Sequence, residues 1–162
     1  MSKATAYLGL GANLGAPIET LRQVLQDIGH LPGIEDCECS DFFGSAPLDA
    51  PGPHYVNAVA KVHTTLAPLN LLTAMQHLEV QYGRIRTPDS VRNAPRTLDL
   101  DLLWYDNLNL VTPRLTLPHP RMSQRAFVLR PLAQLNHDFV LNGHSMAVLL
   151  IGCADQQCVP LS

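Results

Sequence analysis

A chain of 162 residues suffices for one domain with a substantial core and is short for two. With 46% apolar and 15% charged residues, and no apolar run near the roughly 20 residues of a membrane span, the composition excludes a disordered tail, a coiled coil and a membrane-spanning helix. The formal charge of −3 conceals two unlike regions: residues 84–130 hold eight of the nine arginines, no lysine and four acids, a local +4, while the remainder sums to −7.

In chain order, Met1–Ala6 lacks the charged, apolar and small-residue series of a signal peptide, so the cytoplasm is the expected compartment. Ala4–Gly11 alternates loosely and predicts a buried first strand. Gly11–Gly15 reads as a turn, and Pro17 suits the first turn of a helix. Its apolar positions Leu21, Val24, Leu25 and Ile28 recur with 3.6 periodicity up to a stop at Gly29. Ile34–Phe43 is expected as a second strand. Its Cys37 and Cys39, like Cys153 and Cys158, lack the spacing of a zinc ribbon and are expected as reduced structural thiols. Ser45–Pro53, with Pro47, Pro51, Gly52 and Pro53, must be a loop.

Tyr55–Thr64 alternates as a third strand, with Val56, Ala58, Ala60 and Val62 on one face. Pro68 opens a second helix, which ends near Gly83. Arg84–Pro95 is aperiodic and charged, and reads as a mobile loop. Thr97–Tyr105 is the strongest strand signal, Arg114–Arg121 is extended, and Ser123–Leu135 predicts a third helix despite Pro131. The order β-α-β-β-α-β followed by helices predicts an α+β, ferredoxin-like sandwich, an antiparallel sheet flanked by helices, in a single domain over 1–162.

Asp99-Leu100-Asp101 is the sharpest local feature. Residues two apart on a strand share a face, so Leu98, Leu100, Leu102 and Trp104 should fill one side while Asp99 and Asp101 project from the other. Two like charges so close need a compensating cation. With no histidine cluster nearby, the pair suits Mg²⁺, which takes a few carboxylates and completes its shell with water and substrate phosphates. Arg84, Arg86, Arg92 and Arg96 precede the pair; Arg114, His119, Arg121 and Arg125 follow it. Carboxylates among arginines fit a metal–polyphosphate site, since guanidinium groups meet phosphate oxygens in bidentate fashion. The plain alternative is a solvated strand face with surface ion pairs, each worth little. The Gly9–Gly15 segment fits neither a dinucleotide loop, because Leu14 stands where glycine is needed, nor a P-loop, because the lysines are only Lys3 and Lys61. The near-neutral balance and absent aromatic strand signatures count against a nucleic-acid surface.

With these residues in view, the chain resembles the 6-hydroxymethyl-7,8-dihydropterin pyrophosphokinase family of folate biosynthesis. The most specific block is Pro95-Arg96-Thr97-Leu98-Asp99-Leu100-Asp101, supported by Gly9–Leu14, Tyr55–Ala58, Glu79 with Gly83–Arg86, Pro118–Met122 and Arg125–Leu132. The resemblance implies transfer of pyrophosphate from ATP to the pterin hydroxymethyl, with release of AMP. It implies Asp99 and Asp101 as ligands of two Mg²⁺ ions, and Arg84 and Arg96 as the arginines that meet the phosphates. Gln76, Glu79, Arg86, Arg114, Thr116, His119 and Arg125 match positions around the nucleotide. Tyr55 and Phe127 match an aromatic pair that sandwiches the pterin, whose polar edge would be read by Asn57 and by Ser45, Ala46, Pro47 and Leu48.

This sequence departs from the family pattern at Asn93, where a tryptophan is frequent, at Pro120, where an aromatic is frequent, and at Ser45-Ala46 in place of Thr-Pro. The loops Gly44–Pro53 and Arg84–Pro95 are expected to close when ATP–Mg²⁺ binds. A stand-alone monomer without nucleic-acid or membrane partners is expected. Two other readings stay open at this point: a non-catalytic ferredoxin-like module that binds nucleotides or RNA, and a Mg²⁺-dependent nuclease or phosphatase. The last 27 residues carry no reading.

Overall fold

The computed structural model describes residues 3–45, 55–83 and 98–161. The main sheet is entirely antiparallel. It contains β1 (Ala4–Ala12), β2 (Ile34–Cys39), β3 (Phe43–Ser45), β4 (Tyr55–Thr64), β5 (Asp99–Tyr105) and β10 (Cys158–Pro160), in the order β10-β3-β4-β1-β5, with β2 also paired to β4. The path β5-β1-β4-β2, with α1 (Pro17–Gly29) and α2 (Pro68–Gln81) in the crossovers, is the ferredoxin-like arrangement expected. Pro17 and Pro68 stand at the starts of their helices, where a missing N–H is harmless.

One apolar layer joins Leu8, Leu10, Val62, Leu100 and Leu102 to Leu21, Val24 and Ile28 of α1 and Leu71, Met75 and Leu78 of α2. A second layer covers the opposite face. There Tyr7, Phe43, Val59 and Leu103 meet Val128, Leu129 and Leu132 of α3 (Ala126–Leu135). The final segment supplies the rest of this layer. It forms the hairpin β8 (Val140–Leu141) and β9 (His144–Ser145), the short α4 (Met146–Ile151) and β10, and it buries Phe139, Leu141, Met146, Leu149, Cys153 and Cys158.

Four sequence expectations change. The predicted strand Ile34–Phe43 is two strands that pair in turn with β4. The break falls at Ser40, whose hydroxyl accepts the Val59 N–H at 3.0 Å while its own N–H donates to the Val59 carbonyl at 2.9 Å. Gly11 and Ala12, expected at the start of a turn, lie within β1, as Gly9 does in keeping with the predicted strand; Gly15, at φ 65°, is the turn glycine. Trp104 does not join Leu98, Leu100 and Leu102. The β1–β5 register shifts between Tyr7 and Leu8, an irregularity that leaves Leu103 without a partner and turns Trp104 to the second face, beside Tyr7 and Phe139. The third helix starts at Ala126, after a 3₁₀ turn over Met122–Gln124, and continues through Pro131.

Candidate active site

The sheet register places the two aspartates. Asp99 is paired with Gly11 and Asp101 with Gly9, and Gly11 is paired on its other side with Asn57. Directly opposed residues of an antiparallel pair share a face. Asp99 and Asp101 therefore stand on the second face, half-buried, with two side-chain-free positions between them and β4. A Cβ on Gly11 would come within 3.1 Å of Asn57 Oδ1, so the absence of a side chain there keeps the floor of the site open. On the reverse face, Leu98, Leu100 and Leu102 are buried as expected.

The approach to α3 brings three further expected residues to this pair. The Arg125 guanidinium lies 3.9 Å from the Asp101 carboxylate and 5.4 Å above the Phe127 ring. His119 is secured by its N–H, which donates to the Leu103 carbonyl at 2.7 Å. The Arg121 N–H donates to His119 Nδ1 at 3.1 Å, which leaves the proton of the neutral ring on Nε2. Burial, reinforced by the Arg125 charge and only partly opposed by Asp99, pulls the His119 pKa down to about 4. The ring is thus a neutral Nε2–H donor at physiological pH.

Along the outer edge of β5, Arg114 donates to Thr73 Oγ1 at 2.9 Å and to Gln76 Oε1 at 3.4 Å, which ties α2 to the turn that leads into Thr116 on β7 (Thr116–Leu117). That strand pairs with β6 (Leu110–Val111). Glu79 differs from its expected neighbours: it is only 1% exposed, and its Oε2 accepts the Leu100 N–H at 2.9 Å, between the two aspartates. Further along the same face, Asn57 Nδ2 donates to Ser45 Oγ at 3.0 Å, both buried. Tyr55, cross-strand from Ser45, is half-buried there, as is Phe127. Arg84, Arg86 and Arg96, with Ala46, Pro47 and Leu48, lie outside the described residues, as do Asn93 and most of both loops expected to close.

Among the described residues no three His, Cys, Asp or Glu side chains gather into a metal cage. Two carboxylates on one face fit a hard cation that draws its remaining ligands from water and phosphate. Sequence reasoning missed Gly9 and Gly11 as space-makers. It also passed over Asn13, a buried amide that follows directly on β1. A paired Gly-x-Gly opposite the Asp-x-Asp strand was the available signal.

A ferredoxin-like α+β sandwich that gathers carboxylates, an arginine and a neutral histidine on one sheet face has the chemistry to handle phosphate. Residues 7–137 match the family model for 7,8-dihydro-6-hydroxymethylpterin-pyrophosphokinase. The chain belongs to this pyrophosphokinase family, whose members move pyrophosphate from ATP to hydroxymethyldihydropterin in folate biosynthesis. It is 41% identical over 160 residues to the 2-amino-4-hydroxy-6-hydroxymethyldihydropteridine pyrophosphokinase of Haemophilus influenzae, covering 98% of each chain. To the Pseudomonas aeruginosa protein of the same name it is 43% identical over 149 residues, 91% of this chain and 90% of that one. The fold is shared with wild-type Plasmodium falciparum HPPK-DHPS, solved with pterin and p-hydroxybenzoate, at a TM-score of 0.68 and 14% identity. That match covers 91% of this chain, which spans 42% of the Plasmodium chain. No helix among the described residues is long and apolar enough to cross a membrane.

Proposed function

We propose that the face carrying Asp99 and Asp101 is where this chain performs the pyrophosphoryl transfer of its family, with Ser45, Asn57, Tyr55 and Phe127 as the pterin end and Gln76, Arg114 and Thr116 as the nucleotide end. The observation that carries the reading is the meeting of Asp99, Asp101, His119 and Arg125 beside the Phe127 ring, on the same sheet face as the Ser45–Asn57 pair. Asp99 and Asp101 would hold magnesium, two ions with ATP. Bound there, magnesium would offset the polyphosphate charge and make the transferred phosphorus more electrophilic.

The chain's own groups do the remaining work. Arg125 sits where it can take a phosphate oxygen in place of its long contact to Asp101. His119 contributes a donor without charge, which costs little to bury and does not compete with the cations for the carboxylates. Glu79 acts one layer back: by holding the Leu100 N–H it fixes the strand segment from which both aspartates project. Tyr55 and Phe127 would enclose the pterin ring by stacking, while the Asn57 amide, oriented by Ser45, would read its heteroatoms. The sequence block supports Arg84 and Arg96 as phosphate partners in an in-line displacement, with Arg86 at the nucleotide and the backbone of Ala46, Pro47 and Leu48 at the pterin edge. The polypeptide would work as a single domain and a monomer in the cytoplasm.

The test is AMP release from ATP with and without 6-hydroxymethyl-7,8-dihydropterin. AMP should form only with the pterin, in equal amount to the pterin diphosphate, and Asp99→Ala or Asp101→Ala should abolish it while the circular-dichroism spectrum is retained. Phosphate or nucleotide release independent of pterin, or wild-type turnover in either variant, would overturn the reading.

A further inference from the structure

We infer that Gln156 is a positioning residue for the transfer reaction, because its amide grips the turn that presents Arg125 and Phe127 to the site. The inference rests on the active-site reading above. Gln156 Oε1 accepts the Ala126 N–H at 2.9 Å, and its Nε2 donates to the Gln124 carbonyl at 2.6 Å. The two bonds flank Arg125 on either side in the chain. They also fix which way the amide faces, since an N–H requires the oxygen and a carbonyl requires the NH₂.

The local need for such a grip is visible in α3. The first N–H groups of a helix have no partner within it. Arg125, at the N-cap position with φ −121° and ψ 109°, offers no side-chain cap. Gln156 supplies the missing acceptor from 30 residues further along the chain. Without it, the part-buried Ala126 N–H, on a residue of the second layer, would lose its acceptor, and the backbone around Arg125 would be free to rotate toward another partner.

Gln156 is itself firmly mounted. Its N–H donates to the Cys153 carbonyl at 3.0 Å, and it lies between Cys153 and Cys158, both buried. Arg130 of α3 donates to the Cys158 carbonyl at 2.7 Å, and Cys158 pairs with Ser45 of β3. The final segment thereby connects the strand that carries Ser45 to the helix start that carries Arg125 and Phe127. These are the two ends of the pterin side of the site. Glutamine is the one side chain of this reach that offers both a donor and an acceptor. Glutamate keeps only the acceptor, and methionine keeps the length and volume with neither.

The experiment compares wild type, Gln156→Met and Gln156→Glu by amide hydrogen exchange at Ala126 and by steady-state kinetics for both substrates, at a temperature where circular dichroism shows each variant folded. Gln156→Met should lose Ala126 protection and lower kcat/KM about tenfold through misplacement of Arg125 and Phe127. Gln156→Glu should keep the protection and fall between the two. A purely structural role would move the melting temperature alone. Wild-type kcat/KM in both variants, or unchanged Ala126 exchange in Gln156→Met, would overturn the proposal. Should Gln156→Met fail to fold, the Glu variant decides: its kcat/KM must lie below wild type. Wild-type protein that makes no AMP would refute the pyrophosphokinase reading, and the Ala126 exchange would still decide whether the grip exists.

Discussion

At the scale of single residues, His119 couples the site to acid stability. An exposed histidine titrates near 6.5, whereas the folded ring holds out to about 4. Between those values the unfolded chain binds a proton that the folded protein refuses, so this residue's contribution is complete above about pH 6.5 and is lost as pH falls toward 4. Urea midpoints of the ligand-free protein should therefore drop across that window, and the drop should be shallower in His119→Gln. The thiols behave oppositely in reactivity. Burial pushes Cys37 up to about 11 and Cys39 to about 12, so neither is a thiolate near neutrality. Iodoacetamide at pH 8 should label both far more slowly in the native protein than in urea, as mass spectrometry of the modified peptides would read. The four cysteines are free thiols.

Among the elements, β1 and β5 decide the shape of the site. A side chain at Gly11 would press on Asn57 Oδ1, so Gly11→Ala should raise the pterin KM and cost about 1 kcal/mol of stability; kinetics and denaturant titration measure the two. Leu103, which sits unpaired at the register shift, is fully buried in the second layer. Leu103→Ala should cost about 2–5 kcal/mol by urea unfolding. The elements also show what sequence could and could not reveal. Period-2 alternation located the aspartates because nothing interrupts it from Leu98 to Leu102. It failed at Trp104 because an unpaired residue resets the alternation without a mark in composition. Helix α1 was legible from Pro17 and Gly29 at its ends. The division of β2 from β3 was not, because it hangs on a serine hydroxyl taking a ladder N–H from a strand 19 residues away.

For the whole molecule, the candidate site is assembled from β1, β3, β4, β5, α2, the turn into β7, the segment before α3, and α3 itself. Such convergence follows from sheet order, which motifs reveal only when their spacing is already known as a set. The grip of Gln156 on the α3 start was illegible for the same reason: one side chain meeting two backbone groups leaves no periodicity to read. Chelation should separate fold from chemistry. Because the apolar layers form the core without metal ligands among them, excess EDTA should stop AMP formation and leave the melting temperature of the ligand-free protein unchanged. The second layer has a temporal consequence as well. Its helical half comes wholly from residues after Leu117, laid onto strands finished by Tyr105. A nascent chain leaving the ribosome can close its first layer while the aspartate face is still bare. The Gln156 grip on the α3 start can form only once residue 156 has been made, so the proposed setting of Arg125 and Phe127 is completed after both apolar layers have most of their members.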